Sequence, residues 1–511
     1  MSDISSNNKR IAKNTMMLYF RMLITMIVGL FTSRVVLQAL GVEDYGIYNV
    51  VGGVVSMFAF INGGMVSATQ RYLTFELGRG NEQQLSKVFS TSIQIHALIS
   101  LIVFILSETV GLWFLYEKLV IPDNRLNAAF WVYQCSIIAC LVSIMSVPYN
   151  ADIVAHEKMS AFAYISILEV SLKLLVVYLL YISPWDKLIV YAILLLIVKL
   201  LIRWIYARYC KKHFLESHYK HHIDKSLFKE MFSFAGWSFW GNFATMLYTQ
   251  GLNMMLNIFF GPIVNAARGI AIQVQGVIQG FVGNFQTALN PQITKSYANG
   301  DLPQMQNLMF RSAKFSFFLL FFLALPILLE TEYILCLWLN DIPNETTSFV
   351  RWMIAISLIY TIANPCIKAN LATGKIKVYQ IVVGGILLLI LPISYIILKL
   401  GLPAYSVFIV HFCVECVAQF FRMYMLRHSI QLSLKDFCIN IYIPIISVMV
   451  LSIILPYYVH LKLECGLVRL IIVSITSILS VCTTTFFVGL TKKEKDFIQK
   501  KLIHRFKQQK K

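Results

Sequence analysis

Several charged side chains lie inside long apolar segments of this sequence, where they could bind an ion or an anionic group. Arg21 and Arg34 both lie in the first such segment, and Arg21 has no acidic residue within one helical turn. A charge at the centre of a bilayer costs about 2.5–3.5 kcal/mol on insertion scales, so an arginine placed there needs a partner. For Arg21 that partner is an acid on another helix, a backbone carbonyl or an anionic substrate. Arg34 could instead extend to the membrane surface and meet Glu43 or Asp44.

Acidic side chains at comparable depth are few, and two of them have a basic residue one helical turn away. Glu169 and Lys173 are four residues apart, as are His411 and Glu415, so the members of each pair would share one helix face. Lys199 adds a further cation in the sixth apolar segment. These spacings make Glu169, Lys173 and Glu415 candidates for holding a proton or a coupled ion.

The sequence lacks the usual signatures of enzymes and metal proteins. It contains no Walker A motif, no GxSxG and no HExxH, so nothing indicates ATP hydrolysis or hydrolytic catalysis. His218 and His222 have ligand-like spacing in a basic central loop, but the pattern matches no standard zinc spacing. Cys413 and Cys416 form an isolated CxxC in an apolar helix. We therefore predict no enzymatic activity, no metal site and no cofactor.

The composition excludes an ordinary soluble protein. Hydrophobic residues make up 58% of the 511 residues and charged residues 14%, against about 25% charged in typical globular chains. The formal net charge is +19, and the basic residues lie between apolar runs. The expected anionic partner of this charge is a lipid leaflet and not a nucleic acid.

Stretches of about 20 apolar residues recur along the chain and predict an all-α, polytopic membrane protein of about fourteen spans. Lys and Arg are concentrated at the N-terminus and in alternate connections, by roughly four to one, which predicts that both termini are cytoplasmic. The spans lie near 15–40, 46–70, 88–116, 127–149, 159–182, 187–208, 232–260, 263–289, 310–330, 347–367, 376–399, 403–426, 437–458 and 466–489.

The first twelve spans divide into two similar halves. At an offset of 220 residues, Gly41 matches Gly261, Gly63 matches Gly283 and Gly80 matches Gly300. Six spans in each half predict a parallel repeat about an axis along the membrane normal, with a substrate site between the halves. The predicted domains are a six-helix bundle at 1–208, a cytoplasmic basic linker at 209–231, a second bundle at 232–430, an extra helix pair at 431–490 and a basic amphipathic tail at 491–511.

Polar residues form one stripe on each of spans one, two, seven and eight. One interpretation is hydrogen bonding between helices, and the other is a shared hydrated cavity, since unpaired polar groups avoid lipid. Four stripes at matching positions favour the cavity. The stripes consist of Asn14, Arg21, Thr25 and Thr32; Asn49, Gly53, Ser56, Gly63, Ser67 and Arg71; Ser238, Asn242, Thr245, Thr249 and Asn253; and Arg268, Gln275, Gln279 and Gln286. The candidate substrate-binding residues are Arg21, Arg34, Arg71, Arg268, Asn242, Thr245, Thr249, Gln275 and Gln279.

Four stretches of the sequence resemble a known family. They are RVVLQALGVEDYGIY at 34–48, the run at 70–81, LFKEMFSFAGW at 227–237 and NIFFGPIVNAARG at 257–269. They are similar to the polysaccharide and O-antigen flippases of the multidrug/oligosaccharidyl-lipid/polysaccharide (MOP) superfamily. The resemblance covers residues from about 10 to 430. It implies two six-helix bundles that form a V around a cationic cavity, which opens to each side of the membrane in turn.

The resemblance also implies a function. The expected protein moves undecaprenyl-diphosphate-linked oligosaccharide from the cytoplasmic to the outer leaflet of the bacterial inner membrane, for lipopolysaccharide, capsule or exopolysaccharide synthesis. The expected partners are this lipid-linked glycan, anionic membrane lipids, and a polysaccharide polymerase and glycosyltransferases. Two alternatives stay open, a cation-coupled multidrug exporter of the same superfamily and a membrane-embedded glycan transferase or polymerase.

Overall fold

The protein is helical throughout the part of the chain that the computed structural model describes, residues 2–56, 59–117, 119, 121–220, 224–339, 342–492 and 494–496. Eleven helices in this part are long and apolar enough to span a membrane. Three other predicted spans, near 46–70, 232–260 and 263–289, are not among these eleven helices. The prediction of an all-α polytopic membrane protein is confirmed.

The helices follow one another through short connections. In the first part of the chain they are α1 Ser2–Ser56, α2 Ala59–Arg79, α3 Glu82–Leu106, α4 Leu112–Glu117, α5 Leu126–Ala155, α6 Met159–Ile182, α7 Lys187–His213, α8 Lys225–Phe260 and α9 Pro262–Ala298. The second part contains α10 Leu302–Leu329, α11 Thr331–Trp338, α12 Thr346–Ala372, α13 Lys377–Leu388, α14 Ile390–Lys399, α15 Ser406–Ser429, α16 Leu434–Phe437, α17 Ile443–Lys462 and α18 Leu467–Thr484.

The chain forms two compact units. The first comprises Met1–Met246, Thr287–Asp301 and Gly374–Ile381, and the second comprises Leu247–Gln286, Leu302–Thr373 and Val382–Lys511. Helices α8, α9 and α13 therefore each contribute residues to both units. The domain boundaries predicted from the spans and the basic linker stay a prediction.

Matched glycines break the helices at corresponding places in the two halves. Gly41 interrupts α1 with a φ of 82°, and Gly261 separates α8 from α9 with a φ of 80°. Gly80 and Gly300 end α2 and α9 with φ values of 68° and 76°. A positive φ strains residues that carry a Cβ and suits glycine. The match at an offset of 220 residues therefore extends from residue type to backbone conformation.

In the first unit, α5 lies centrally and packs against α7, α2, α3 and α1, while α1 also packs along α6. At one end of this unit Arg125 joins two connections by ion pairs with Asp44 and Asp186. Asp186 also caps α7, because its carboxylate accepts hydrogen bonds from the amides of the first turn. Burial raises the pKa of Asp186, but the hydrogen bonds from Arg125 and these amides outweigh it and hold the pKa below its ordinary value.

One buried carboxylate, that of Glu157, joins three distant segments of the first unit. Glu157 follows α5 in a left-handed conformation with a φ of 59°, and its side chain is 1% exposed. Arg10 on α1 and Lys295 on α9 each lie 2.9 Å from its carboxylate oxygens. Gln292 donates to the same carboxylate at 2.6 Å, and Asn14 donates to the Glu157 carbonyl at 3.1 Å. The end of α9 is thereby attached to α1 and to the α5–α6 turn.

In the second unit, α12 packs between α10 and α15, and α17 and α18 pair with each other and contact α10. The buried carboxylate of Glu330, just after α10, accepts from Arg469 at 3.0 Å and lies 2.8 Å from the Nδ1 atom of His460. These contacts fasten both helices of the last predicted pair to the end of α10.

The start of the predicted basic tail is attached to the second unit. Glu494 pairs with the buried Lys314 of α10, with Oε2 2.7 Å from Nζ. Burial raises the pKa of Glu494, but the hydrogen bonds from Lys314 and from the Thr491 amide outweigh it and lower the pKa. Residues 497–511, which include most of the predicted amphipathic tail, lie outside the described residues.

Replacing Glu494 with glutamine should release the segment that follows residue 490, because a buried lysine would lose its anionic partner. We expect a loss of roughly 1–3 kcal/mol in the attachment of this segment. The ion pair in the wild type should hold fully above the ordinary glutamate pKa of about 4.3 and weaken as the pH falls through the lowered value. Proteolysis at the tail lysines, followed against pH, measures the release. Equal cleavage of wild type and variant at neutral pH would contradict the prediction.

Candidate functional site

A polar cavity of about 560 Å³ lies within the first unit. Helices α5, α6 and α7 contribute most of its wall, α2 contributes two residues, and α1 and α9 contribute one each. The lining residues are Arg21, Val66, Gln70, Val142, Ser143, Ser146, Val147, Asn150, Ala151, Val154, Phe162, Ser166, Glu169, Lys199, Ile202, Arg203, Tyr206 and Thr287.

Helical spacing explains how the polar wall forms. Phe162, Ser166 and Glu169 of α6 are four and three residues apart, which places them on one face. Lys199 and Arg203 of α7 are four residues apart and therefore also lie on one helix face. Because α6 packs along α7, the two faces meet, and each brings charge to the cavity.

The cavity wall carries more positive than negative charge. Arg21, Lys199 and Arg203 are cationic, while Glu169 is the single acid among the lining residues. Glu169 is bound by Lys199 at 2.8 Å and also by Lys173 at 2.9 Å. Its charge is therefore already shared between two lysines, so the two arginines supply an excess of positive charge.

The two arginines lie against aromatic rings. The Arg21 guanidinium lies 4.8 Å from the ring centre of Phe162, and that of Arg203 lies 5.8 Å from the ring centre of Tyr149. The NH1 nitrogen of Arg203 is buried and donates no hydrogen bond to any of the described residues. A buried cationic donor without an acceptor is costly, and an anion in the cavity would supply the acceptor.

The stripes predicted on the first two spans contribute only in part. Arg21 lines the cavity, whereas Asn14 binds the Glu157 carbonyl, and Thr25 and Thr32 donate to carbonyls of their own helix. The Arg34 side chain lies outside the described residues, as do the side chains at 49 and 53–63. Asp44, one suggested partner of Arg34, is bound by Arg125.

Arg71 lies next to the lining residue Gln70 but packs elsewhere in the first unit. Its guanidinium lies 4.5 Å from the ring centre of Phe75 and 5.8 Å from that of Phe234. A Cβ at Gly374 would lie 2.6 Å from an Arg71 guanidinium nitrogen. The φ of 78° at Gly374 favours glycine there, because a residue with a Cβ would be strained.

The predicted stripe residues of the second unit mostly bind neighbouring helices. Arg268 donates to the Asn253 side chain at 3.0 Å and to the Thr249 carbonyl at 2.8 Å. Gln275 and Gln279 each donate to Ser357 of α12 at 3.0 Å. Interhelical bonding therefore accounts for these contacts. In the first unit, Asn242 and Thr245 of α8 are exposed, and Thr245 donates to the Gly241 carbonyl.

The second unit buries one ion pair within α15. Glu415 accepts from Arg422 at 2.6 Å, with both side chains almost fully buried. His411, which the four-residue spacing favoured as the partner of Glu415, instead lies edge-on to Tyr248 with ring centres 5.2 Å apart.

Arg203 is a charged cavity residue that is not among the candidates predicted from the sequence. It lies near the end of an apolar segment among the basic residues that orient the chain, so it was counted with them. The signal that could have revealed it is its position four residues after Lys199, facing the Glu169 side of α6.

The sequence and the fold agree on the class of protein. The family model described as polysaccharide biosynthesis protein matches residues 11–297, more than half of the chain. Among solved structures, an outward-facing multidrug resistance MATE family transporter of the MOP superfamily aligns with a TM-score of 0.71 at 13% identity. The alignment covers 83% of this chain and 96% of that one.

Two further solved structures are similar. A MATE protein in a bent conformation has a TM-score of 0.72 at 12% identity and covers 83% of this chain and 96% of its own. A MOP superfamily transporter from Pyrococcus furiosus, described as having a binding pocket of reverse polarity that suggests a different function, has a TM-score of 0.67 at 14% identity. That alignment covers 82% of this chain and 96% of that one. A search of curated proteins finds no match.

The chain therefore belongs to the polysaccharide biosynthesis protein family of the MOP superfamily, as the sequence resemblance predicted. It is a multi-pass membrane protein, and its fold is similar to that of MOP-superfamily transporters.

Proposed function

We propose that this protein is a flippase that moves undecaprenyl-diphosphate-linked oligosaccharide from the cytoplasmic to the outer leaflet of a bacterial inner membrane. Lipopolysaccharide, capsule or exopolysaccharide synthesis would use the product. The observation that carries the proposal is the excess of positive charge in the first-unit cavity, where Arg203 presents a buried nitrogen without an acceptor. A diphosphate provides several anionic oxygens, and guanidinium groups bind such oxygens well.

The rest of the cavity wall suits a sugar. Ser143, Ser146, Ser166, Asn150 and Gln70 place hydroxyl and amide groups among the lining residues. These groups can exchange hydrogen bonds with sugar hydroxyls. A volume of about 560 Å³ lies within the usual range of small-molecule sites, so the polar headgroup would enter while the polyprenyl chain stays in lipid.

The direction of transport agrees with the membrane potential. Applied to the basic connections, the positive-inside rule predicts that both termini are cytoplasmic. An anion moving outward across an inside-negative membrane gains about 2.3 kcal/mol per charge per 100 mV. The forward step therefore needs no coupled ion for a diphosphate substrate. Glu169 and Glu415 stay candidates for proton coupling.

Multidrug export is the competing function, because one structural neighbour is described as a multidrug resistance transporter. A cationic drug would meet Arg21, Lys199 and Arg203 in this cavity, with the one lining acid already bound by two lysines. Like charges repel strongly where water is scarce. The charge of the cavity thus favours an anionic substrate.

Replacing Arg21 with alanine tests the proposal. Purified wild-type protein in liposomes should move undecaprenyl-diphosphate oligosaccharide to the opposite leaflet, where a lectin can bind it. The variant should flip this lipid about tenfold or more slowly, because a charge-assisted contact with the substrate is lost. In a deletion strain the variant should accumulate the lipid-linked glycan. Drug sensitivity with normal surface polysaccharide would support the exporter instead, and a truncated glycan would support a transferase.

A further inference from the structure

Three side chains that can bind metals converge where α5 ends in the first unit. Asp152 and His156 lie one helical turn apart, and Glu216 comes from the short turn Leu215–Ser217 that follows α7. One ligand atom from each lies within 4.8 Å of the other two. Two atoms that each lie about 2.0–2.2 Å from one tetrahedral ion are about 3.3–3.6 Å apart, so small side-chain shifts would bring the three atoms around one ion.

The group places two buried carboxyl groups beside one imidazole. The Asp152 side chain is fully buried and that of Glu216 nearly so. Within the part of the chain that the structure describes, His156 is the one cationic residue in an ion pair with either of them. Its Nε2 atom lies 2.5 Å from Glu216 Oε1 and 3.8 Å from Asp152 Oδ1. One imidazole neutralises at most one of the two carboxylates.

One oxygen of the Asp152 carboxylate is available to bind a further group. Asp152 Oδ1 is buried and accepts no hydrogen bond from any residue that the structure describes, while Asp152 Oδ2 accepts from Ser217 at 2.6 Å. Buried carboxylate oxygens are normally bonded, so Oδ1 lacks the positive partner that its position calls for. The Ser217 hydroxyl holds the carboxylate in orientation, as outer partners of metal ligands commonly do.

The imidazole is also held in place. The ring of His156 stacks on Phe214 with centres 4.0 Å apart and planes 5° from parallel. Phe214 precedes the turn that carries Glu216, so the stack fixes the ring plane relative to the second carboxylate.

We propose that Asp152, His156 and Glu216 bind a divalent transition-metal ion, with Zn²⁺ as the best match. An imidazole nitrogen with two carboxylate oxygens suits Zn²⁺ better than Mg²⁺ or Ca²⁺, which prefer all-oxygen sites. The ion would replace the hydrogen bond between His156 and Glu216 and would fix the end of α5 to the predicted basic linker. The site is independent of the cavity and of the proposed substrate.

The proposed site takes Glu216 from the predicted linker at 209–231 but uses none of the linker histidines, for which the sequence predicted no metal. The ring of His213 bonds the Tyr209 carbonyl at 2.9 Å and stacks on Tyr209. His218 bonds the Lys211 carbonyl at 3.2 Å. His221 and His222 lie outside the described residues.

Titration of Zn²⁺ into chelator-treated, detergent-purified full-length protein tests the proposal. Calorimetry should show one ion bound per chain, and Zn²⁺ should raise the melting temperature where equal Mg²⁺ does not. Co²⁺ in place of Zn²⁺ should give visible d–d absorption typical of low-coordinate nitrogen and oxygen ligands, and this readout needs no variant. Absence of Zn²⁺ binding, or binding of Mg²⁺ with equal affinity, would overturn the proposal.

Matched variants locate the ion. Glu216→Gln and His156→Asn keep side-chain size and should each weaken Zn²⁺ binding by about tenfold or more. His213→Asn, in the same region but outside the group, should bind as the wild type does. Loss of binding in His213→Asn with retention in Glu216→Gln would assign the ion to the linker histidines and refute the site.

Discussion

Arg203→Met should reduce flipping of lipid-linked oligosaccharide by about ten- to a hundredfold, the range expected when a charge-assisted hydrogen bond worth roughly 1.5–3 kcal/mol is lost. The same change should leave the melting temperature unchanged or raise it. The reason is that Arg203 buries a guanidinium nitrogen with no acceptor, so the substitution removes an unsatisfied donor from the protein. Lectin accessibility in liposomes measures the rate, and thermal unfolding in detergent measures the stability.

Arg208→Met provides the matched control for this experiment. Arg208 is an exposed arginine on the same helix, and its guanidinium lies 5.6 Å from the ring centre of Trp204. We expect that variant to transport at nearly the wild-type rate. Full transport by Arg203→Met, or a parallel loss in both variants, would remove Arg203 from substrate binding.

The second large effect should appear in stability. Arg422→Met should lower the free energy of unfolding by about 3–5 kcal/mol, the usual cost of leaving one member of a buried ion pair without the other. Glu415 would then keep a buried charge that Arg422 neutralises at 2.6 Å in the wild type. Thermal unfolding of the purified protein measures the loss.

A double variant separates this explanation from simple loss of packing. Arg422→Met combined with Glu415→Gln removes both charges, so it should recover most of the lost stability. Arg427→Met, at an exposed position on the same helix, should change stability by less than about 0.5 kcal/mol. If the double variant were as unstable as Arg422→Met alone, the ion pair would not explain the effect.

The fold follows from the sequence because its signals are local. Apolar runs of bilayer length predict the helices, and the matched glycines mark breaks where the structure has positive φ values at Gly41, Gly80, Gly261 and Gly300. Ion pairs between residues of one helix can also be predicted from their spacing. Glu169 does bind Lys173, as their four-residue spacing predicted.

Contacts between helices were less accessible from sequence. Lys199 forms a second ion pair with Glu169, beside that of Lys173, only because α6 packs along α7. No residue spacing within one helix could show this contact. Gln275 and Gln279 form part of a polar stripe in sequence, yet both donate to Ser357 of α12. A stripe predicts that a helix face meets polar partners or water, but the neighbouring helix decides which of the two applies.

Glu415 shows the limit of spacing even within a helix. Its nearest basic neighbour along the face is His411, but the carboxylate takes Arg422, seven residues away. The long arginine side chain spans two turns, while His411 packs against the Tyr248 ring. Side-chain reach and competition for neighbours, which sequence does not display, decide the pair.

The position of Glu157 has a consequence for biosynthesis. Its partner Lys295 lies 138 residues further along the chain, which a ribosome adding 5–20 residues per second needs about 7–28 s to reach. Two cations, Arg10 and Lys295, pair with this carboxylate. During that delay only Arg10, of these two, has been synthesised. The nascent chain must therefore tolerate an incompletely neutralised acid until the end of α9 arrives, and stalled translation in this interval would leave the first unit unfinished.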